Sequence, residues 1–159
     1  MATQWLSDVE QTAWRNFIMS VHDLMSALEA DLAPHGLTMG DYEVLVWLSE
    51  AEQSRMRMCD LASSLQLSPS GLTRRLDGMV KYGWVERASC DTDRRVMWAH
   101  LTPAGLEKMN DVAPVHVASV RRHVIDPLGS DDVVHMGEIF GRIRDRLQQP
   151  ALATPTARP

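Results

Sequence analysis

The side chains best equipped for chemistry in this sequence are paired arginines. Arg74-Arg75 follows Ser68, Ser70, Gly71 and Thr73 in one short stretch, and Arg94-Arg95 stands further along beside Asp93. A guanidinium presents a planar fork of donors that fits a phosphate or the O6/N7 edge of guanine. Serine and threonine hydroxyls bind phosphates or base edges, and glycine admits close backbone approach. Enzymatic signatures are missing: there is no phosphate-cradling glycine loop, nucleophile elbow or metalloprotease helix, so an enzyme is not expected. His100, His116, His123 and His135 are scattered without a close ligand pair, which argues against a metal or other cofactor.

Local signals say how these residues are carried. Ser68 followed by Pro69 is a cap-then-proline helix start. The helix runs over about 69–82, with Leu72, Leu76, Met79 and Val80 as its buried stripe and Gly83 placed to end it. Leu61, Ala62 and Leu65 mark a short helix upstream, so Leu65-Gln66-Leu67-Ser68 is a turn between two helices. Downstream, Trp84–Arg87 and Val96–Leu101 read as two strands of a hairpin over about 84–101, with Arg94 and Arg95 in the polar stretch that joins them. A helix fits the DNA major groove with its N-terminal residues at base edges, its free N–H groups favour a phosphate, and arginines on a hairpin tip suit the narrow minor groove. The order helix, turn, helix, ribbon is that of a winged helix-turn-helix over 37–102, with double-stranded DNA as the expected partner. Ser68, Ser70, Gly71, Thr73, Arg74, Arg75, Arg94 and Arg95 are the candidate contacts.

The flanks are helical. Leu6, Val9, Ala13, Phe17, Val21, Leu24, Leu28 and Leu32 recur at three- or four-residue spacing, which predicts one long amphipathic helix over about 7–33 within an N-terminal segment 1–36, ended by Pro34-His35-Gly36. Thr38 can cap a second helix to about Glu50, and residues 51–57 read as a loop with a short strand at Met56. Thr102-Pro103 opens a helix to about 124, with Pro114 a kink or break. Ser130-Asp131-Asp132 caps a last helix, completing a segment 103–148, and 149–159 reads as a disordered tail. The expected fold class is mainly α with a small β-hairpin wing, a winged helix-turn-helix plus a helical region.

A net charge of −5 over 159 residues seems to oppose nucleic acid, but the sum hides a gradient. Residues 1–54 hold nine acids and one base, 55–98 eight bases and five acids, and 99–159 seven of each. The basic surplus coincides with the proposed helix and hairpin, and such a chain admits polyanions at one face. No apolar run approaches the length of a membrane span and the N-terminus lacks the order of a signal peptide. Cys59 and Cys90 form no disulfide framework, so the reading is a cytoplasmic protein.

The stretch Asp93-Arg94-Arg95-Val96-Met97-Trp98-Ala99-His100-Leu101-Thr102-Pro103-Ala104-Gly105 resembles the wing signature of the MarR family of bacterial transcription regulators. Leu72-Thr73-Arg74-Arg75-Leu76-Asp77 followed by Tyr82-Gly83-Trp84-Val85 is similar to that family's recognition helix and its exit into the wing. The resemblance spans roughly residues 10–147. Ala99 departs from it, standing where the family usually has a larger β-branched residue, which would thin the packing under the wing. Cys59 is another departure, near a helix start where Ser or Thr is common.

The resemblance implies a homodimer with the first and last helices interleaved, a pseudo-palindromic operator, and repression as the default. It implies that Arg95 enters the minor groove with Asp93 holding it. It also implies a small aromatic or anionic effector between the dimerisation and DNA-binding regions. Trp14, Arg15 and His22 on the first helix, with Tyr42 and Trp47 on the second, are the candidates, since an arginine beside aromatics can hold a carboxylate in an apolar cleft. Two alternatives stay open: a redox-responsive regulator using Cys59 or Cys90, and a winged-helix protein-interaction module that does not bind DNA.

Overall fold

The computed structural model describes residues 3–89 and 96–148. It comprises two compact units, one ending at Val120 and the other beginning at Arg121.

In the first unit, α1 (Asp8–Leu32) starts at a capping box: the Glu10 N–H donates to the Ser7 hydroxyl, and the Ser7 N–H donates to the Glu10 carboxylate at 2.7 Å. Those hydrogen bonds from Ser7 hold the Glu10 carboxyl below its usual range. Gly36, at φ +73°, takes the left-handed conformation that closes the 3-10 turn Ala33–His35. A second capping box, Thr38 with Asp41, opens α2 (Met39–Glu50). A short turn, with Gln53 and Ser54 at φ 56° and 51°, leads into β1 (Arg55–Arg57). Then come α3 (Met58–Ser64), α4 (Pro69–Lys81), β2 (Val85–Ser89), β3 (Met97–Leu101) and α5 (Pro103–Val120).

The sheet is antiparallel in the order β1-β3-β2, so the predicted ribbon gains a third strand on the outer side of β3. Its register sets Met56 opposite Ala99 and Arg57 opposite Trp98. Alternation turns Met56 towards the core and both arginines the other way. The core is one cluster, including Leu32, Val44, Leu45 and Leu48 from the first two helices, Leu61, Leu72, Leu76 and Met79 from the next two, and Val85, Ala99 and Val112. Ala99 is fully buried within it, and Met56 packs against the same cluster beside it.

Close approach at the start of α5 explains one glycine. A Cβ on Gly105 would lie 2.1 Å from the Trp84 carbonyl oxygen. Next to it, the Thr102 hydroxyl donates to the Gly83 carbonyl at 2.6 Å and accepts from the Gly105 N–H at 3.0 Å, joining the end of the wing to the turn before it.

Two expectations differ from the structure. Val80 is 39% exposed rather than part of the stripe of α4, because Leu72, Leu76 and Met79 already cover the core-facing arc. Helix α5 runs unbroken through Pro114 as far as Val120. Proline removes one N–H and crowds the preceding turn, but Val112 and Ser119 on either side are buried and packing holds the helix together. Ser119 also donates a short hydrogen bond to Asp31 of α1.

The second unit contains the π-helical turn Arg121–Ile125, an Arg121–Asp126 ion pair at 2.7 Å, and α6 (Ser130–Gln148). Helix α6 has no buried residue and exposes Val134, Ile139, Phe140, Ile143 and Leu147. Among the described residues no helix is long and apolar enough to cross a membrane.

Candidate nucleic-acid interface

The first turn of α4 is built by its cap. Ser68 accepts from the Gly71 N–H at 3.1 Å and lies 3.2 Å from the Ser70 hydroxyl, while Pro69 occupies the first helical position, where no N–H is needed. Thr73 donates to the Pro69 carbonyl at 2.9 Å. Ser68, Ser70, Thr73 and Arg74 are all exposed, and Gly71 is half-buried among them. That places one guanidinium, three hydroxyls and the N-terminal end of a helix dipole in a single cluster, a chemistry suited to a phosphodiester and a base edge.

Arg75 is placed differently. It is half-buried and directed at the start of α2, where Nη1 donates to the Thr38 hydroxyl at 3.3 Å and stands 3.7 Å from the Asp41 carboxylate. The structure thus brings the other α4 candidates together and separates Arg75 from them. Asp93, Arg94 and Arg95 lie outside the described residues, as does Cys90.

Two cations were missed. Arg55 and Arg57 stack over the Trp98 ring at 4.8 and 5.6 Å, on the sheet face opposite Met56. Arg57 also lines a cavity of about 470 Å³ with Pro69, Leu72, Thr73 and Arg87, beside the beginning of α4. The polar–apolar–polar alternation of Arg55-Met56-Arg57 was the signal for them. Cys59 lines the same cavity and its thiol donates to the Asp60 carboxylate at 3.4 Å.

A second cavity, about 290 Å³, is bordered by Met39, Tyr42, Glu43, Val46 and Trp47 of α2 and by His116 of α5. The Tyr42 and His116 rings lie 4.5 Å apart. Burial pushes the Tyr42 phenol up and the His116 imidazole down, with Glu43 partly opposing the latter, and His116 Nδ1 is buried without a hydrogen-bond partner. Tyr42 and Trp47 thus border one cavity, whereas Trp14, Arg15 and His22 are exposed on α1 and do not border it. In the sequence His116 stands among scattered histidines, seven residues from His123 on one helical face, a spacing that suggests packing or hydrogen bonding rather than a binding site. Its four-residue spacing from buried Val112 was the available clue.

Comparison with known proteins agrees with this geometry. The MarR family pattern matches residues 37–97. AbsC, a MarR family transcriptional regulator from Streptomyces coelicolor, is 47% identical with a TM-score of 0.87, over 93% of this chain and 100% of AbsC. Sco3205, a MarR family transcriptional regulator from the same organism solved in complex with DNA, is 34% identical with a TM-score of 0.87, over 94% of each chain. The HTH-type transcriptional regulator PecS of Dickeya dadantii is 25% identical over 122 residues, 76% of this chain and 73% of PecS. With the helix-turn-helix, the three-stranded wing and these likenesses together, the chain belongs to the MarR family of winged-helix transcription regulators and is not an enzyme.

Proposed function

We propose that this protein is a dimeric repressor that binds a pseudo-palindromic operator and is released by a small aromatic effector. The observation that carries the DNA reading is the exposed cluster of Ser68, Ser70, Thr73 and Arg74 on the capped end of α4. In this reading α4 enters the major groove, with Arg74 at a base edge and the hydroxyls on flanking phosphates, while Arg95 enters the adjacent minor groove with Asp93 holding it. The likeness to Sco3205, solved with DNA, and to the transcriptional repressor YetL of Bacillus subtilis, 26% identical over 119 residues, supports it.

Dimerisation is supported by exposed apolar surface: Val9, Ile18, Val21 and Met25 of α1 are exposed, as are Val134, Ile139 and Ile143 of α6. Helices with so much uncovered apolar surface need a partner, and a second copy places two recognition helices about one DNA turn apart.

The effector site is the cavity between Tyr42, Trp47 and His116. Its walls carry a carboxylate, Glu43, and a histidine biased towards its neutral form, so an uncharged aromatic suits it better than an anion. Release requires the ligand to favour one spacing of the two α4 helices, and a coupling of about 1–3 kcal/mol would weaken DNA binding roughly 5- to 150-fold.

The test is a gel shift with the promoter region beside the protein's own gene, followed by selection of bound genomic fragments. The expected result is a specific complex whose sequence preference relaxes in Arg74→Ala. No complex on any genomic fragment at low salt would instead support the protein-interaction module.

A further inference from the structure

We propose that Arg75 is a positioning residue: it locks α4 onto the capping box of α2 and so sets the angle at which Ser70, Thr73 and Arg74 are presented. The first turn of α2 is a junction. The Thr38 hydroxyl donates to the Asp41 carboxylate at 2.7 Å, accepts from the Asp41 N–H at 3.1 Å, and accepts from Arg75 Nη1 at 3.3 Å. At the same turn the Met39 N–H donates to the Glu29 carboxylate of α1 at 2.6 Å. Three helices meet there, and Arg75 is the contribution of α4.

The seat for the guanidinium is Gly40. A Cβ at that position would lie 1.8 Å from Arg75 Nη1, 2.2 Å from Cζ and 2.6 Å from Nη2, so the fork rests directly against the helix where any side chain would displace it. A cation is disfavoured at a helix N-terminus, and the Asp41 carboxylate 3.7 Å away compensates. The neighbouring cation has the opposite disposition: Arg74 is exposed, while Arg75 is half-buried against α2. Adjacent arginines of one helix thus divide the work, Arg74 facing outward to DNA and Arg75 fixing the helix that carries it.

The experiment measures affinity for a duplex recovered by the genomic selection, across a series of salt concentrations, for the wild type, Arg75→Ala, Gly40→Ala and the double variant. Because only the flexible end of Arg75 meets the new methyl, Gly40→Ala moves the guanidinium aside with the helix intact. Each single variant is expected to lose about tenfold in affinity, the double no more than either single, and the salt slope to stay at its wild-type value. A salt slope reduced by about one in Arg75→Ala, with Gly40→Ala unaffected, would identify Arg75 as a phosphate contact and overturn the proposal. Additive losses, or no loss in either single variant, would overturn it too. Amide hydrogen exchange of the free protein gives a readout independent of DNA: both substitutions should speed exchange in α2 and α4 alike. Unchanged exchange removes the lock even if DNA is bound, and faster exchange in a protein that binds no DNA keeps the lock while the operator reading fails.

Discussion

Arg87 of β2 and Asp77 of α4 form an ion pair that ties the sheet to the helix bearing Arg74. Among the described residues Arg87 Nε is buried without a partner, and Asp77 accepts from Nη2 of this guanidinium. The Asp77 side chain is 62% exposed, which limits the pair's contribution to stability to under about 1 kcal/mol. Asp77→Asn should therefore shift the urea midpoint slightly and weaken operator binding about tenfold. Fluorescence anisotropy beside urea unfolding measures both, and proportionate losses would mean that the pair serves stability alone.

Two glycines should respond in opposite directions. Gly105→Ala forces a methyl onto the Trp84 carbonyl and should destabilise the fold by about 1–3 kcal/mol. Gly78 lies in mid-helix with nothing within 4 Å of an added Cβ, so Gly78→Ala should gain about 0.5–1 kcal/mol from helix propensity. Thermal or urea unfolding of the two variants checks the contrast.

His116 links stability to pH. Burial lowers its pKa in the fold from the ordinary 6.5, so the unfolded chain binds more protons at pH values just below 6.5. This residue's share of stability is undiminished above 6.5 and declines as pH falls from there to the folded pKa, below which it is constant. His116→Phe should flatten the dependence of Tm on pH over that interval. A slope identical to wild type would show that other groups govern it.

On α1, Ile18 is 42% exposed on the stripe assigned to dimerisation. Ile18→Glu should shift the sedimentation profile from dimer to monomer and reduce operator affinity by at least an order of magnitude, with single half-sites bound as before. A variant that sediments like the wild type would move the interface elsewhere.

Much of this architecture was legible because local signals coincided with tertiary demands. Ser68-Pro69 fixed where α4 begins, Thr38 where α2 begins, and the positive φ of Gly83 where the chain turns into β2. Pro114 misled because the local preference for a break is weaker than the packing around Val112 and Ser119. The third strand was faint: three residues give little periodicity, and only their pairing with β3 makes Arg55–Arg57 a strand. The candidate site was legible as residue types but not as directions. Nothing in Thr73-Arg74-Arg75 says that one arginine faces outward while the next crosses to a helix more than thirty positions earlier. That depends on Gly40, whose role appears only when the two helices are side by side. His116 was hidden for the same reason, since its partner Tyr42 lies on another helix.

The two outer strands of the sheet have a further consequence. Strand β1 has three residues, two of them arginines, and β2 has five, with Glu86 and Arg87 side by side. Short, charged margins make poor templates for a foreign strand, because bringing one alongside would desolvate cations for few backbone hydrogen bonds. Growth of the sheet from one molecule to the next is thereby discouraged, so the proposed pairing through helix surfaces would have no strand-to-strand contact to compete with.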